Sequence, residues 1–294
     1  MSDRPNPEEI LQNILQNVQV GGNLTTGDIT QILNLLVIIP QHDSFKPKEI
    51  PHNVPRSGAV KFVGRAEELL SLSQQLQANN QLVITAINGM GGVGKTELAT
   101  QYALIHLLLS TYKGGICWLR ARSEDVGIQI VQFARTQLDL KPPEDFNIID
   151  QVQYCWRRWR EGDVLLVFDD VTDYEQVKPY LPLSSRFKVL ITTRQLLGTS
   201  IKQLSLDVLQ PEAALELLKS LVQETPERIE RELAVANQLC EWLGYLPLGV
   251  ELVGRYLARK QDLALTEMLR RLQNKRLDER SLSELPTPPE YRSV

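Results

Sequence analysis

The stretch LVITAINGMGGVGKTELAT, residues 82–100, decides the fold. Its first six residues are apolar or β-branched, the pattern of a buried strand. Gly89, Met90, Gly91, Gly92, Val93, Gly94, Lys95 and Thr96 then match G-x-x-x-x-G-K-[ST], and a helical pattern follows. A strand that runs through a glycine-rich turn into a helix makes a cradle for phosphate. The glycines let backbone N–H groups turn inward onto the oxygens, Lys95 neutralises the β/γ charge, and the Thr96 hydroxyl reaches a magnesium ion. The plain alternative is a glycine-rich turn with no ligand.

Strands and helices alternate on either side of this loop. Residues 116–119 read as a strand, 125–138 as a helix and 151–160 as another helix. Trp156 and Trp159 on that helix are expected at its surface and at the core edge. Residues 164–168, 187–192 and 202–206 complete the strands. Near-continuous apolar strands alternating with helices imply a parallel sheet covered on both faces. After Leu209 the pattern is helical only, over 212–221, 227–243, 246–260 and 265–273. The expected fold class is therefore α/β: a P-loop NTPase parallel sheet covered by helices, followed by a small all-α domain. The expected boundaries are 59–208 for the α/β domain, 209–278 for the helical one and 279–294 for a tail.

Two further sites follow from the strand ends. Val164-Leu-Leu-Val-Phe168 stops at Asp169 and Asp170. A carboxylate at the carboxyl edge of a parallel strand points into the ligand crevice. Asp169 can hold the magnesium shell, and Asp170 can orient or deprotonate the attacking water. Arg194 stands just past the strand ending Ile191-Thr-Thr, where a guanidinium can sense a γ-phosphate. A surface salt bridge is its plain alternative.

Composition excludes several classes. The 294 residues are 43% hydrophobic and 23% charged, with a net charge of -4, so nothing global points to nucleic acid as the main partner. Cys117, Cys155 and Cys240 lie far apart, which argues against a disulfide or zinc framework and for a reduced, cytoplasmic setting. The first residues, MSDRPNPEE, do not read as a secretory leader, and the longest apolar run, Leu35–Ile39, is too short to span a membrane.

Taken together, these segments resemble the NB-ARC branch of the signal-transducing (STAND) NTPases, relatives of plant resistance proteins and apoptosome scaffolds. Phe62-Val-Gly-Arg65, followed by Glu67-Glu-Leu69, is similar to that family's opening motif. The phosphate loop, Leu165-Leu-Val-Phe-Asp-Asp-Val171 and Ile191-Thr-Thr-Arg194 resemble its loop, magnesium and sensor motifs. Gly244-Tyr-Leu-Pro-Leu248 resembles its "GLPL" motif. The resemblance implies a slow, magnesium-dependent ATPase that binds ATP and ADP and works as an NLR-like switch. It implies that Val63, Gly64 and Arg65 lie beside adenine and ribose, and that Pro247 packs on the adenine. It also implies that Arg194 reads the γ-phosphate and that Glu97 belongs to the nucleotide-binding set with the loop. A proline that merely starts a helix remains the alternative for Pro247. The family continues into a winged helix carrying a histidine that locks the ADP state. His42, His52 and His106 all lie upstream of where that domain would begin.

The N-terminus adds a signalling expectation. Residues 6–17 have a capping-box start and an apolar stripe, and read as a short helix. Val18-Gln-Val-Gly21 resembles the core of RHIM amyloid motifs. Strands are expected over 24–26 and 29–32, with turns at Gly22-Asn23 and Gly27-Asp28. A small hairpin or disorder is the alternative. Residues 40–58 contain four prolines and read as a linker between this 1–39 region and the ATPase. The implied partners are further copies of the chain and an effector with a matching amyloid motif, in microbial defence or programmed cell death. No membrane or nucleic-acid partner is expected. A DNA-binding regulator of the same class and a metabolic P-loop phosphotransferase are the competing readings.

Overall fold

A computed structural model describes residues 24–38, 50–86, 90–195, 201–222 and 226–274. The chain divides into two compact units. One comprises residues up to 57 with 66–90 and 95–206, the other 58–65, 91–94 and 207 onward.

Among the described residues the first unit is built on five parallel strands: β1 (Gln81–Ala86), β2 (Gly115–Arg120), β3 (Val164–Val171), β4 (Phe187–Thr193) and β5 (Gln203–Leu206). Their order is β2-β3-β4-β1-β5. The central strands are apolar almost throughout because helices cover both faces. On one face, Val164, Leu166 and Phe168 of β3 join Val189 and Ile191 of β4 beneath the helices Val126–Gln137 and Ile148–Arg158. Trp156 and Trp159 are buried here, deeper than the expected core edge. Phe133 stacks on Trp159 at 5.4 Å, and each indole N–H donates to a carbonyl, Trp156 to Tyr180 and Trp159 to Gly114. The helices α2 (Ala66–Ala78) and α3 (Lys95–Leu108) pack against β1 and β4.

The expected strands over 24–26 and 29–32 are not found. Thr26–Ile38 is a helix, α1. Thr25 and Asp28 form a reciprocal cap: Asp28 N donates to Thr25 Oγ1 at 3.2 Å, and Thr25 N donates to Asp28 Oδ2 at 2.9 Å. Ile29 and Ile32, three apart, then fall on one helical face and are fully buried. α1 packs on α2 and α3, so tertiary burial overrides the β propensity of the isoleucines. Residues 6–17 and Val18–Gly21 lie outside the described residues, as do 40–49 and 275–294.

His106 sits at the back of α3, fully buried between the rings of Tyr102 and Tyr112, with Nδ1 2.9 Å from Thr111 Oγ1. Burial pushes its pKa down from 6.5 to about 3. Between those values the unfolded chain takes up a proton that the folded chain refuses. Stability is therefore complete above 6.5 and falls as pH drops toward 3. From pH 7.5 to 5.5 the loss from this residue is about 1.4 kcal/mol. Urea unfolding at the two pH values should show it, and His106→Gln should remove most of that difference. An unchanged pH dependence in the variant would refute the assignment.

Among the described residues the second unit packs five helices: Pro211–Leu221, Pro226–Arg231, Leu233–Trp242, Pro247–Arg259 and Leu265–Asn274. Leu217, Leu218, Leu239, Val250, Val253, Leu257 and Met268 form its core. The single helix expected over 227–243 breaks at Glu232. Its carboxylate accepts from the Leu265 and Thr266 amides and from the Thr266 hydroxyl at 2.7 Å, capping the last helix.

Candidate functional site

In the first unit, the carboxyl ends of β3 and β4 meet the first turn of α3. Asp169 is the joint. Its Oδ1 accepts from Thr96 Oγ1 at 2.8 Å and from Thr192 Oγ1 at 2.6 Å. Burial raises the Asp169 pKa, and the two hydroxyl bonds oppose that rise by favouring the carboxylate. The same Thr192 oxygen accepts the Asp170 amide at 2.8 Å. Thr192 therefore locks both acids. Sequence reasoning missed it, although it sits one residue from the end of an apolar strand, the same rule that found Asp169.

Asp170 departs from strand geometry. Its φ is +54°, and the β3–β4 register shifts between Phe168 and Val171. A bulge of this kind re-aims a side chain that simple alternation would send to the opposite face. The Asp170 carboxylate meets Arg122 Nη1 at 3.1 Å and lies 3.9 Å from Arg194 Nε. Arg194 is thus beside the acidic pair. Arg122 is a second missed residue, just past β2. Asp170 and both arginines are partly exposed, so these pairs contribute little stability.

Lys95 is the first residue of α3, buried, with Nζ donating to Met90 O at 3.1 Å. Burial lowers its pKa and Arg194 lowers it further, while Asp170 and Asp169 oppose both. Glu97 turns to the Gln101 side chain at 2.7 Å and to Ser57 at 2.6 Å. Gly89 lies outside the described residues.

In the second unit, Arg65 is buried and donates to Val93 O at 3.5 Å and to Asp207 O. Val63 is buried, and Gly64 lies against Ala213. Pro247 opens its helix at a position where a missing N–H costs nothing, and Leu248 N donates to Gly92 O at 3.2 Å. Gly92 has a φ of +77°, and a Cβ there would come 2.9 Å from Leu248 Cβ. Only glycine fits that contact without strain. Within this unit, the segments carrying Val63–Arg65, Gly91–Gly94 and Pro247 are thus tied together.

Magnesium suits the first-unit donors. One carboxylate and one hydroxyl, completed by phosphate and water, is the manner in which this ion is usually held. A cage of three or more His, Cys, Asp or Glu side chains is absent among the described residues.

Residues 65–228 match the NB-ARC domain model. The chain belongs to the NB-ARC family. The NB-ARC match starts at Arg65 and ends before Pro247. Among curated proteins, the chain is 27% identical over 237 residues to the probable disease resistance RPP8-like protein 2 of Arabidopsis thaliana, covering 74% of this chain and 25% of that protein. It is also 27% identical over 260 residues to the regulatory protein AfsR of Streptomyces griseus, covering 84% and 26%. The chain thus spans about a quarter of the length of these relatives. A signal transduction ATPase with numerous domains and a tetratricopeptide repeat sensor, from Pyrococcus horikoshii, overlays with a TM-score of 0.43 at 20% identity. That overlay covers 78% of this chain and 35% of the other and is too partial to carry an inference. Among the described residues no helix is long and apolar enough to cross a membrane.

Proposed function

We propose that this NB-ARC chain is a cytoplasmic, magnesium-dependent ATP/ADP switch that hydrolyses ATP slowly and self-associates in its ATP state. The observation that carries the reading is the joint of Thr96, Asp169 and Thr192 at the end of the loop bearing Lys95. Lys95 binds the β/γ oxygens, and Thr96 and Asp169 hold the ion, which neutralises developing phosphate charge when bound. Arg194 reads the γ-phosphate. Asp170 holds a water in line with the γ-phosphorus and accepts its proton as ADP leaves. Val63, Gly64 and Arg65 take the adenine and ribose side, with Pro247 against the base. Calorimetry with ADP and ATP, with and without magnesium, combined with light scattering, tests this directly. Magnesium-dependent binding and a mass increase confined to the ATP state are expected. Absence of nucleotide binding would end the reading.

Self-association would cluster the N-terminal region and present Val18–Gly21 to an effector carrying a matching segment, in microbial defence or cell death. The helix at Thr26–Ile38 narrows that proposal to the residues preceding it. Replacing Val18–Gly21 with alanines should abolish thioflavin-positive assembly of the full chain in ATP and leave nucleotide binding intact. Assembly that persists in the variant would remove the motif's role. The likeness to AfsR, a regulatory protein, favours a second reading as a transcription-regulator-type ATPase. A gel shift on duplex DNA separates the two.

A further inference from the structure

The end of the expected linker is not slack. Residues 51–53 lie along the outer edge of β2. His52 forms a parallel bridge with Ile116, Ile116 N donates to Pro51 O at 2.9 Å, and Asn53 N donates to Ile116 O at 3.4 Å. Asn53 then uses its side chain as a second stretch of backbone. Its Nδ2 donates to Trp118 O at 2.8 Å, and its Oδ1 accepts from Trp118 N at 2.7 Å. β2 pairs with β3 on its other side, so this strap closes an edge that would otherwise stand open. Gly115 makes the approach possible: its φ is +120°, and a Cβ would lie 2.9 Å from Pro51 O.

A second anchor follows within the same short segment. Ser57 Oγ donates to Glu97 Oε1 at 2.6 Å and accepts from Gln101 Nε2 at 3.0 Å. Glu97 directly follows Thr96 in the first turn of α3. Pro55 stiffens the chain between the anchors. One taut segment therefore joins the edge of the sheet to the turn that carries Lys95 and Thr96. His52 Nδ1 is buried with no hydrogen-bond partner among the described residues, so docking the strap carries the desolvation cost of that atom.

We infer that residues 51–57 are a coupling strap whose docking on β2 responds to nucleotide at the phosphate loop, with Ser57 as the positioning residue that carries the change. This rests on the nucleotide site proposed above. Phosphate engaging Lys95 and Thr96 resets the first turn of α3. The Ser57–Glu97–Gln101 bonds fit one position of that turn, so docked and released straps differ in nucleotide affinity, which is the condition for a ligand to shift them.

Hydrogen exchange at the Ile116 and Trp118 amides of the full chain reads the strap, with calorimetry in parallel. Protection at these amides should differ by about tenfold or more between the nucleotide-free and ATP–magnesium states. Ser57→Ala should erase that difference and shift nucleotide affinity by no more than the same factor, because the two are linked, and Ser57→Thr should restore both. Asn53→Ala should lower protection at Trp118 in every state. Equal protection with nucleotide bound by calorimetry overturns the coupling and leaves the nucleotide site standing. A difference that survives Ser57→Ala overturns the role of Ser57. Absence of any calorimetric binding removes the site and the strap's function together.

Discussion

Asp170→Asn is expected to bind ATP and ADP about as well as the parent and to hydrolyse ATP roughly 10²- to 10⁴-fold more slowly, the usual contribution of a positioned general base. The substitution preserves shape and removes only the proton acceptor. Asparagine also tolerates the positive φ at this position, so the bulge that aims the side chain should survive. The ion pairs to Arg122 and Arg194 are partly exposed, and giving them up costs little stability. Asp169→Asn should behave differently. Its Oδ1 accepts from both Thr96 and Thr192, so an amide there disturbs the joint and weakens chiefly the magnesium-dependent part of binding. Single-turnover hydrolysis beside calorimetry separates the two effects. Parental rates in both variants would mean that the acids have been given the wrong roles.

How much of this was legible in the sequence depends on the range of the forces involved. The strands expected over 164–168 and 187–192 and the helical segments after Leu209 are written in local periodicity, and the structure has strands at Val164–Val171 and Phe187–Thr193 and helices over those segments within a few residues, apart from one break. What escaped was set by distant contacts. Ile29 and Ile32 read as strand residues because their burial against α2 and α3 leaves no local trace; the Thr25-x-x-Asp28 spacing, read there as part of a turn, is the signal that could have flagged a helix start. The break at Glu232 depends on a helix more than thirty residues later. Thr192 could have been found by asking what satisfies a buried carboxylate at a strand end. Arg122 could not be told from an ordinary surface cation, since only the bulge at Asp170 brings the two together. The docking of Asn53 on Trp118 spans 65 residues and has no sequence signature beyond an asparagine among prolines.

Lys95→Ala is expected to weaken ATP and ADP by about ten- to a hundredfold, corresponding to roughly 1.5–3 kcal/mol for the removal of at least one charge-assisted hydrogen bond to phosphate. Several features make the variant a clean probe. Alanine is the best helix former, so the first turn of α3 should persist. Within the protein, the ammonium donates to Met90 O, and Met90 is exposed, so water can take over as donor once the side chain is truncated. The effect should exceed that of truncating a surface lysine because Lys95 is buried. Its charge is already disfavoured there by burial and by Arg194, and phosphate oxygens would relieve both. ATP should suffer at least as much as ADP, since the γ-phosphate adds charge for the ammonium to meet. Lys95→Arg should rescue only part of the affinity, because a planar fork cannot replace a compact point charge inside a tight loop. Unchanged calorimetric affinities in Lys95→Ala, with the fold intact by circular dichroism, would reject the loop as the phosphate site.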